Sequence, residues 1–198
     1  MPVTERITYF NDPGAWQENT EACIEIVKQA VERGAARHVV VASSTGRTAA
    51  AFARQLDLSR VSLVGVKMAQ AVDRRYSVSP DEAACAHLAE RGVPLVGGVH
   101  ALTGGVDVAL AERFGGVSPN QLIANTLYLF SQGMKVAVEV VLMAHDHGLL
   151  PDAAPVLAAG GTGQGCDTVV LAKSAGSSRL FDLRVLKVLA MPLECGMG

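Results

Sequence analysis

Along this chain, apolar residues come mostly as short unbroken runs set between longer amphipathic stretches. Ile7 to Phe10 is a short β-prone run, closed by the turn cluster Asn11, Asp12, Pro13 and Gly14. The next stretch, TEACIEIVKQAVERG, puts Cys23, Ile24, Val27, Ala30 and Val31 on one helical face. Asn19 or Thr20 is its expected N-cap and Gly34 its expected C-cap. Val39 to Ala42, led in by His38, reads as a strand buried on both faces. A hydroxyl-rich turn follows, then an alanine-rich helix from Arg47 to about Leu56.

The alternation continues. Val61 to Val66 reads as a strand, followed by the polar stretch MAQAVDRRYSVSP. A helix starting at Ser79 or Pro80 runs to Gly92. Val93 to Val99 is a strand, Val106 to Phe114 a helix, and Ser118–Pro119 opens another helix that runs through Tyr128 and Phe130. Gly133 is expected to separate that helix from KVAVEVVLMAHDH, which Gly148 closes. The β-branched content of this last segment favours a strand. Its length of roughly thirteen residues without a turn favours a buried helix, which is the reading adopted. Val156 to Ala159, Thr168 to Ala172 and Val185 to Ala190 read as strands joined closely enough for antiparallel pairing.

Strands alternating with helices predict an α/β fold of three layers, α/β/α. The sheet is expected to be mainly parallel and twisted, with its C-terminal strands antiparallel. No repeat or linker divides residues 1–198, so one domain is expected. The composition agrees: 49% of residues are hydrophobic, 18% are charged and 20 are glycine, which suits a dense core with tight turns. The net charge of −2 supplies no basic field for nucleic acid or an anionic membrane, so any anion must be caught locally. No apolar run reaches the roughly 18 residues that span a bilayer. MPVTERITYF lacks the apolar core of a secretory signal, which leads to the expectation of a cytoplasmic protein. The cysteines Cys23, Cys85, Cys166 and Cys195 form no C-x-x-C pair. Cys23 and Cys85 read as small buried hydrophobes. Cys166, in a glycine-rich loop, is the one to examine for reactivity.

The candidate chemistry centres on Ser43, Ser44, Thr45, Gly46, Arg47 and Thr48. The first amides of a helix have no intrahelical acceptor, and the macrodipole adds partial positive charge there. A phosphate at this turn would meet amides, hydroxyls and the Arg47 guanidinium. The plain alternative is that these hydroxyls only cap the helix. In parallel sheets, ligands sit beyond the carboxyl ends of strands. Lys67, His100, Thr103 and Gly104 fall at such ends, while Asn11, Asn19 and Thr20 could close over a ligand. GGTGQGCDT, with Gly161, Thr162, Gly163, Asp167 and Thr168, is either a hairpin connection or a loop whose backbone faces a ring or phosphate. Glu139 stands among valines and needs a partner. Lys135, four residues earlier, is the ordinary one, and a role as general base is the functional alternative. Glu139, His100 and Asp167 are therefore the catalytic candidates. The HDH run, His145 to His147, lacks the spacing of a helical metal site, so no metal is expected.

The segment ENTEACIEIVKQAVERGAARHVVVASSTGRTAAAFAR resembles the opening of the pyruvate kinase C-terminal domain. There, an N-T-E helix leads to a strand and an S-G-R-T/S turn. YFNDPG, GGVS near Gly115, KVAVEVVLMAHDHG, AGGTGQGCDT and the closing LAMP extend the likeness over nearly all of the chain, to small stand-alone proteins of that fold without an assigned reaction. In many pyruvate kinases the turn holds a phosphate of a sugar bisphosphate, and some of the stand-alone proteins bind flavin mononucleotide (FMN). The resemblance therefore implies a phosphorylated small-molecule ligand, with FMN as a possible cofactor. The alternatives are a flavin-dependent oxidoreductase or phosphosugar-converting enzyme using the same pocket, and a non-catalytic regulatory or oligomerisation module. A homo-oligomer through the apolar GMKVAVEVVLMA helix is consistent with the last. Two departures bear on the ligand. The relatives carry an arginine in the glycine loop where this chain has Thr162 and Gln164, and a T-Y-H stretch where it has Lys67 and Met68.

Overall fold

A computed structural model describes residues 4, 6–69 and 77–194. Most of the polar stretch expected after the third strand, and Cys195, lie outside the described residues. Among the described residues, seven strands form one sheet: β1 (Thr8–Phe10), β2 (His38–Ala42), β3 (Ser62–Lys67), β4 (Leu95–Gly97), β5 (Pro155–Gly160), β6 (Thr168–Lys173) and β7 (Arg184–Pro192). Their order is β1-β7-β6-β5-β2-β3-β4. β5, β2, β3 and β4 are mutually parallel, β6 is antiparallel to both β5 and β7, and β1 adds in parallel to the end of β7. The expected mixed α/β sheet is what the chain forms.

The central strands show why they read as continuous apolar runs. Side chains alternate across a strand, so a strand covered on both faces needs apolar residues at every position. Val39 and Val41 of β2 enter one core, and Val40 enters the other. Leu157 and Ala159 of β5, and Val169 and Leu171 of β6, divide from Val156, Ala158, Val170 and Ala172 in the same way. The first core is roofed by α1 (Trp16–Glu32), α2 (Arg47–Gln55) and α3 (Glu82–Glu90), with Phe52 fully buried at its centre. The second lies under α6 (Gln132–Asp146), outside which packs α5 (Pro119–Tyr128). These are the three layers.

Helix α6 resolves the ambiguous period. Eleven of its fifteen residues are buried, because the sheet lies on one side and other helix and loop segments on the other. A helix buried nearly all round loses the 3.6-residue pattern and keeps only its length as a signal. Its start corrects one expectation. Gly133 does not separate two elements but lies in the first turn, behind Ser131, whose Oγ accepts from Met134 N at 2.8 Å. The apolar GMKVAVEVVLMA segment is thus core of this chain, which removes the reason for reading it as a subunit interface. The exposed apolar stripe lies instead on α4 (Val106–Phe114), which buries no residue and turns Val106, Leu110 and Phe114 outward.

The start of α1 is a second correction. The helix begins at Trp16, so Asn19 and Thr20 are not its caps but buried residues of its first turns. The expectation failed because the polar residues here serve tertiary contacts rather than the helix end. Near the C-terminus a short 3-10 turn, Ser177–Asp182, joins β6 to β7. It is tied down by Asp146 Oδ1, which accepts from Ser177 N at 2.9 Å, and by Arg179, which reaches Asp152. His145 Nε2 lies 2.7 Å from the same Asp152 carboxylate.

Two outcomes follow. The β carbon of an alanine at Gly160 would fall 2.4 Å from Gly133 O and 2.8 Å from Ala137 N, backbone atoms that cannot swing aside. Gly160→Ala is expected to lose about 2 kcal/mol by overpacking, read from urea denaturation. The His145 hydrogen bond, with help from Arg179, holds the Asp152 carboxyl below its ordinary value. A depressed folded value means that its contribution is full above the unfolded carboxyl value of about 3.9 and is lost as pH falls through the folded one. Melting temperatures taken from about pH 5 down to about pH 2 should therefore fall less steeply for Asp152→Asn than for the wild type.

Candidate functional site

The topology leads to the site. From β2 the chain crosses to β3 on one side, whereas β5 lies on the other. Connections that leave neighbouring parallel strands in opposite directions open a crevice at the strands' carboxyl ends. The Ser43–Thr48 turn after β2 and the Gly161–Gly165 loop after β5 meet there. Between them opens a cleft of about 940 Å³, within the range of small-molecule sites.

One wall is the turn. Ser43 is buried, and its Oγ accepts from Ala49 N at 3.0 Å, satisfying an amide in the first turn of α2. Thr45 Oγ1 accepts from Arg47 N and Arg47 Nε, both at 3.3 Å. Two of the three turn hydroxyls thus do cap the helix. Among the described residues, the N–H groups of Ser44, Thr45 and Thr48 find no acceptor. Arg47 is exposed and stands 3.8 Å from Asp81, a distance at which the pair is largely screened by water. Lys67, at the end of β3, lines the cleft with no acidic partner among the described residues. Gly46 does not line it: it sits in the left-handed region at φ 89° and packs toward Cys85 and Leu95.

The opposite wall is built on α6. Lys135 Nζ donates to Glu139 Oε2 at 2.5 Å, and both side chains are only 5% exposed. Glu139 Oε1 accepts from Leu102 N at 2.9 Å and Thr103 N at 3.3 Å. His100 Nδ1 lies 3.9 Å from Glu139 Oε2. The carboxylate is therefore the node that ties α6 to the loop after β4. The expected Lys135–Glu139 pair forms, but it faces a cleft rather than bulk water. Thr103 and Gly104 do not reach the cleft: Thr103 serves Glu139 through its amide, and Gly104 packs on the His100 ring.

The glycine loop divides likewise. Gly161 and Gly163 line the cleft, with Gln164 and Gly165. Gly165 has φ +65°, and a β carbon there would lie 2.4 Å from Thr20 Oγ1, so only glycine lets the loop rest on α1. Thr162, Asp167 and Thr168 face away. Asp167 Oδ2 accepts from Thr162 N at 2.8 Å, Asp167 Oδ1 accepts from Thr168 Oγ1 at 2.8 Å, and Thr168 Oγ1 meets Ser131 Oγ at 3.0 Å. These residues hold the loop to the start of α6, so Asp167 has no route to a ligand in the cleft. Thr20 borders the cleft with its hydroxyl already engaged, donating to Trp16 O at 2.5 Å and accepting from Cys166 N at 2.9 Å. Asn19 Nδ2 donates to Asp12 O at 2.9 Å, and neither Asn19 nor the exposed Asn11 lines the cleft.

Cys166 is buried, with Sγ 3.6 Å from Thr168 O. Cys23 Sγ points at Cys166 O at 3.6 Å, and the neighbouring Cys166 thiol together with burial pushes the Cys23 thiol well above its ordinary range. Cys23 is thus held as the thiol, which is the inert form. Among the described residues no group of three His, Cys, Asp or Glu side chains could hold a metal ion. His147 Nδ1 bonds Met143 O at 2.7 Å, while His145 turns to Asp152. Among the described residues no helix is long and apolar enough to cross a membrane. Sequence reasoning also missed the Trp16, Gln17 and Gln132 lining. Trp16 and Gln17 precede the expected start of α1, and Gln132 precedes the expected start of α6. No known family model matches the chain.

Removing Lys135 would leave Glu139 buried without its cationic partner. Lys135→Met is expected to cost about 3 kcal/mol in chemical denaturation, and adding Glu139→Gln should restore part of that loss.

Proposed function

We propose that the cleft binds a phosphorylated small molecule, with its phosphate at the start of α2. The observation that carries this reading is the set of amides at Ser44, Thr45 and Thr48 that have no partner among the described residues, beside Arg47 and Lys67. Directed N–H groups, a helix dipole and two cations suit a dianion, in a protein whose overall charge does nothing to attract one. The capping roles of Ser43 and Thr45 narrow the donor set: in this reading the turn acts chiefly through its backbone.

The remainder of the ligand runs along a floor that includes Val66, Val136, Val140 and Met143, with Trp16 at the edge. These residues suit a planar ring, and the donor set suits its phosphate, so FMN fits the cleft as a cofactor. Resemblance to the stand-alone proteins of the pyruvate kinase C-terminal fold supports the same reading. FMN would supply hydride or single-electron chemistry when bound, while this chain's residues would bind its phosphate and shield its ring from water.

A second reading, an assembly module, draws on the outward apolar stripe of α4. Light scattering that shows a monomer at all concentrations would remove it.

Thermal unfolding tests the first reading. Inorganic phosphate or FMN at 100 times its dissociation constant should add about 2.7 kcal/mol of stability. Arg47→Ala and Lys67→Ala should each weaken phosphate binding about tenfold, roughly 1.4 kcal/mol. Absence of a shift with inorganic phosphate, FMN or sugar phosphates would overturn it.

A further inference from the structure

The wall opposite the turn holds more charge than binding requires. Glu139 sits in a helix of valine, leucine and methionine, where a carboxylate is costly to desolvate. An ion pair kept there only for stability would be replaceable by packed apolar side chains. This one is anchored from three directions. Two loop amides fix Oε1, and Lys135 and His100 share Oε2. The Lys135 ammonium and the His100 imidazole both border the cleft that contains the phosphate turn. The imidazole presents Nδ1 to the carboxylate, and Nε2 has no hydrogen-bond partner among the described residues. A carboxylate on Nδ1 fixes the tautomer whose Nε2 lone pair is free, the arrangement of a general base. The 3.9 Å separation is long for a hydrogen bond, as is common before a substrate closes the geometry.

The geometry points to a proton-transfer centre in which His100 is the acid–base residue, Lys135 stabilises an oxyanion and Glu139 positions both. The substrate class is a phosphorylated α-hydroxy carbonyl compound, bound by its phosphate at the start of α2. The inference rests on the phosphate reading above. His100 Nε2 removes the proton from the hydroxyl-bearing carbon beside the carbonyl. The C–H electron pair becomes the carbon–carbon double bond of an enediolate, and the carbonyl π pair moves to oxygen beside the Lys135 ammonium. The proton on the neighbouring hydroxyl passes to that oxygen, and the carbonyl re-forms one carbon along as His100 returns its proton to the former carbonyl carbon. No bond order or charge is left over, and no oxidant, reductant or metal enters the step. Asp167, committed to the glycine loop, takes no part.

The experiment is exchange of carbon-bound hydrogen in deuterium oxide, followed by proton NMR, with dihydroxyacetone phosphate, ribulose 5-phosphate and fructose 6-phosphate. Binding of each compound, and of inorganic phosphate, is read in parallel by thermal shift. The expected result is exchange above the buffer rate for at least one compound, falling at least about 100-fold in His100→Asn, prepared identically. Glu139→Gln should lower turnover while leaving KM within about twofold, and should shift the pH profile of exchange, which loss of a merely structural tie would not do. If Glu139→Gln does not fold, His100→Asn carries the test alone. Compounds that bind but show no exchange, or exchange unaffected by His100→Asn, would overturn the acid–base centre and leave the phosphate reading standing. Failure of all three compounds to bind, where inorganic phosphate or FMN does bind, would overturn the acid–base centre alone; failure of inorganic phosphate, FMN and all three compounds would overturn both.

Discussion

The Glu139 carboxylate is the interaction on which the cleft depends. It lies on the helix that carries the second core, and it reaches the loop after β4 through two amides and a histidine. A buried carboxylate has few stable arrangements. Each oxygen must meet donors, and here the donors come from α6 itself and from residues 37 and 36 positions away in sequence. Satisfying that one group fixes the distance between α6 and the β4 loop, and with it one wall of the cleft.

The other wall is set by the sheet. Parallel β2 and β5 bring their carboxyl ends to one edge, so the hydroxyl turn and the glycine loop become neighbours although more than a hundred residues separate them. Small residues make this closeness possible. Gly160 lets α6 lie directly on β5, and Gly165 lets the loop rest on α1. The cleft is thus a by-product of two tight packings, with its polar groups distributed between them.

Charge follows the same division. The turn offers backbone donors with Arg47 and Lys67, whereas the α6 wall offers a compensated cluster of one carboxylate, one ammonium and one imidazole. The first suits an anion that needs no proton chemistry to bind. In the second, the carboxylate is held by several hydrogen bonds and so keeps its position with little reorganisation.

The chain's local pattern determined the strands, most helices and the strand-turn-helix at Ser43 to Thr48, because apolar runs and turn residues act within a few positions. It also determined the Lys135–Glu139 pair, which needs only helical spacing. Tertiary structure decided the rest. Asn19, Thr20, Asp167 and Thr168 look like ligand groups in sequence, but each is engaged by backbone or side chains that folding brings near. The joining of His100 to Glu139, and the opening of both toward the Ser43–Thr48 turn, depends on which strands lie side by side, and no local spacing encodes that order.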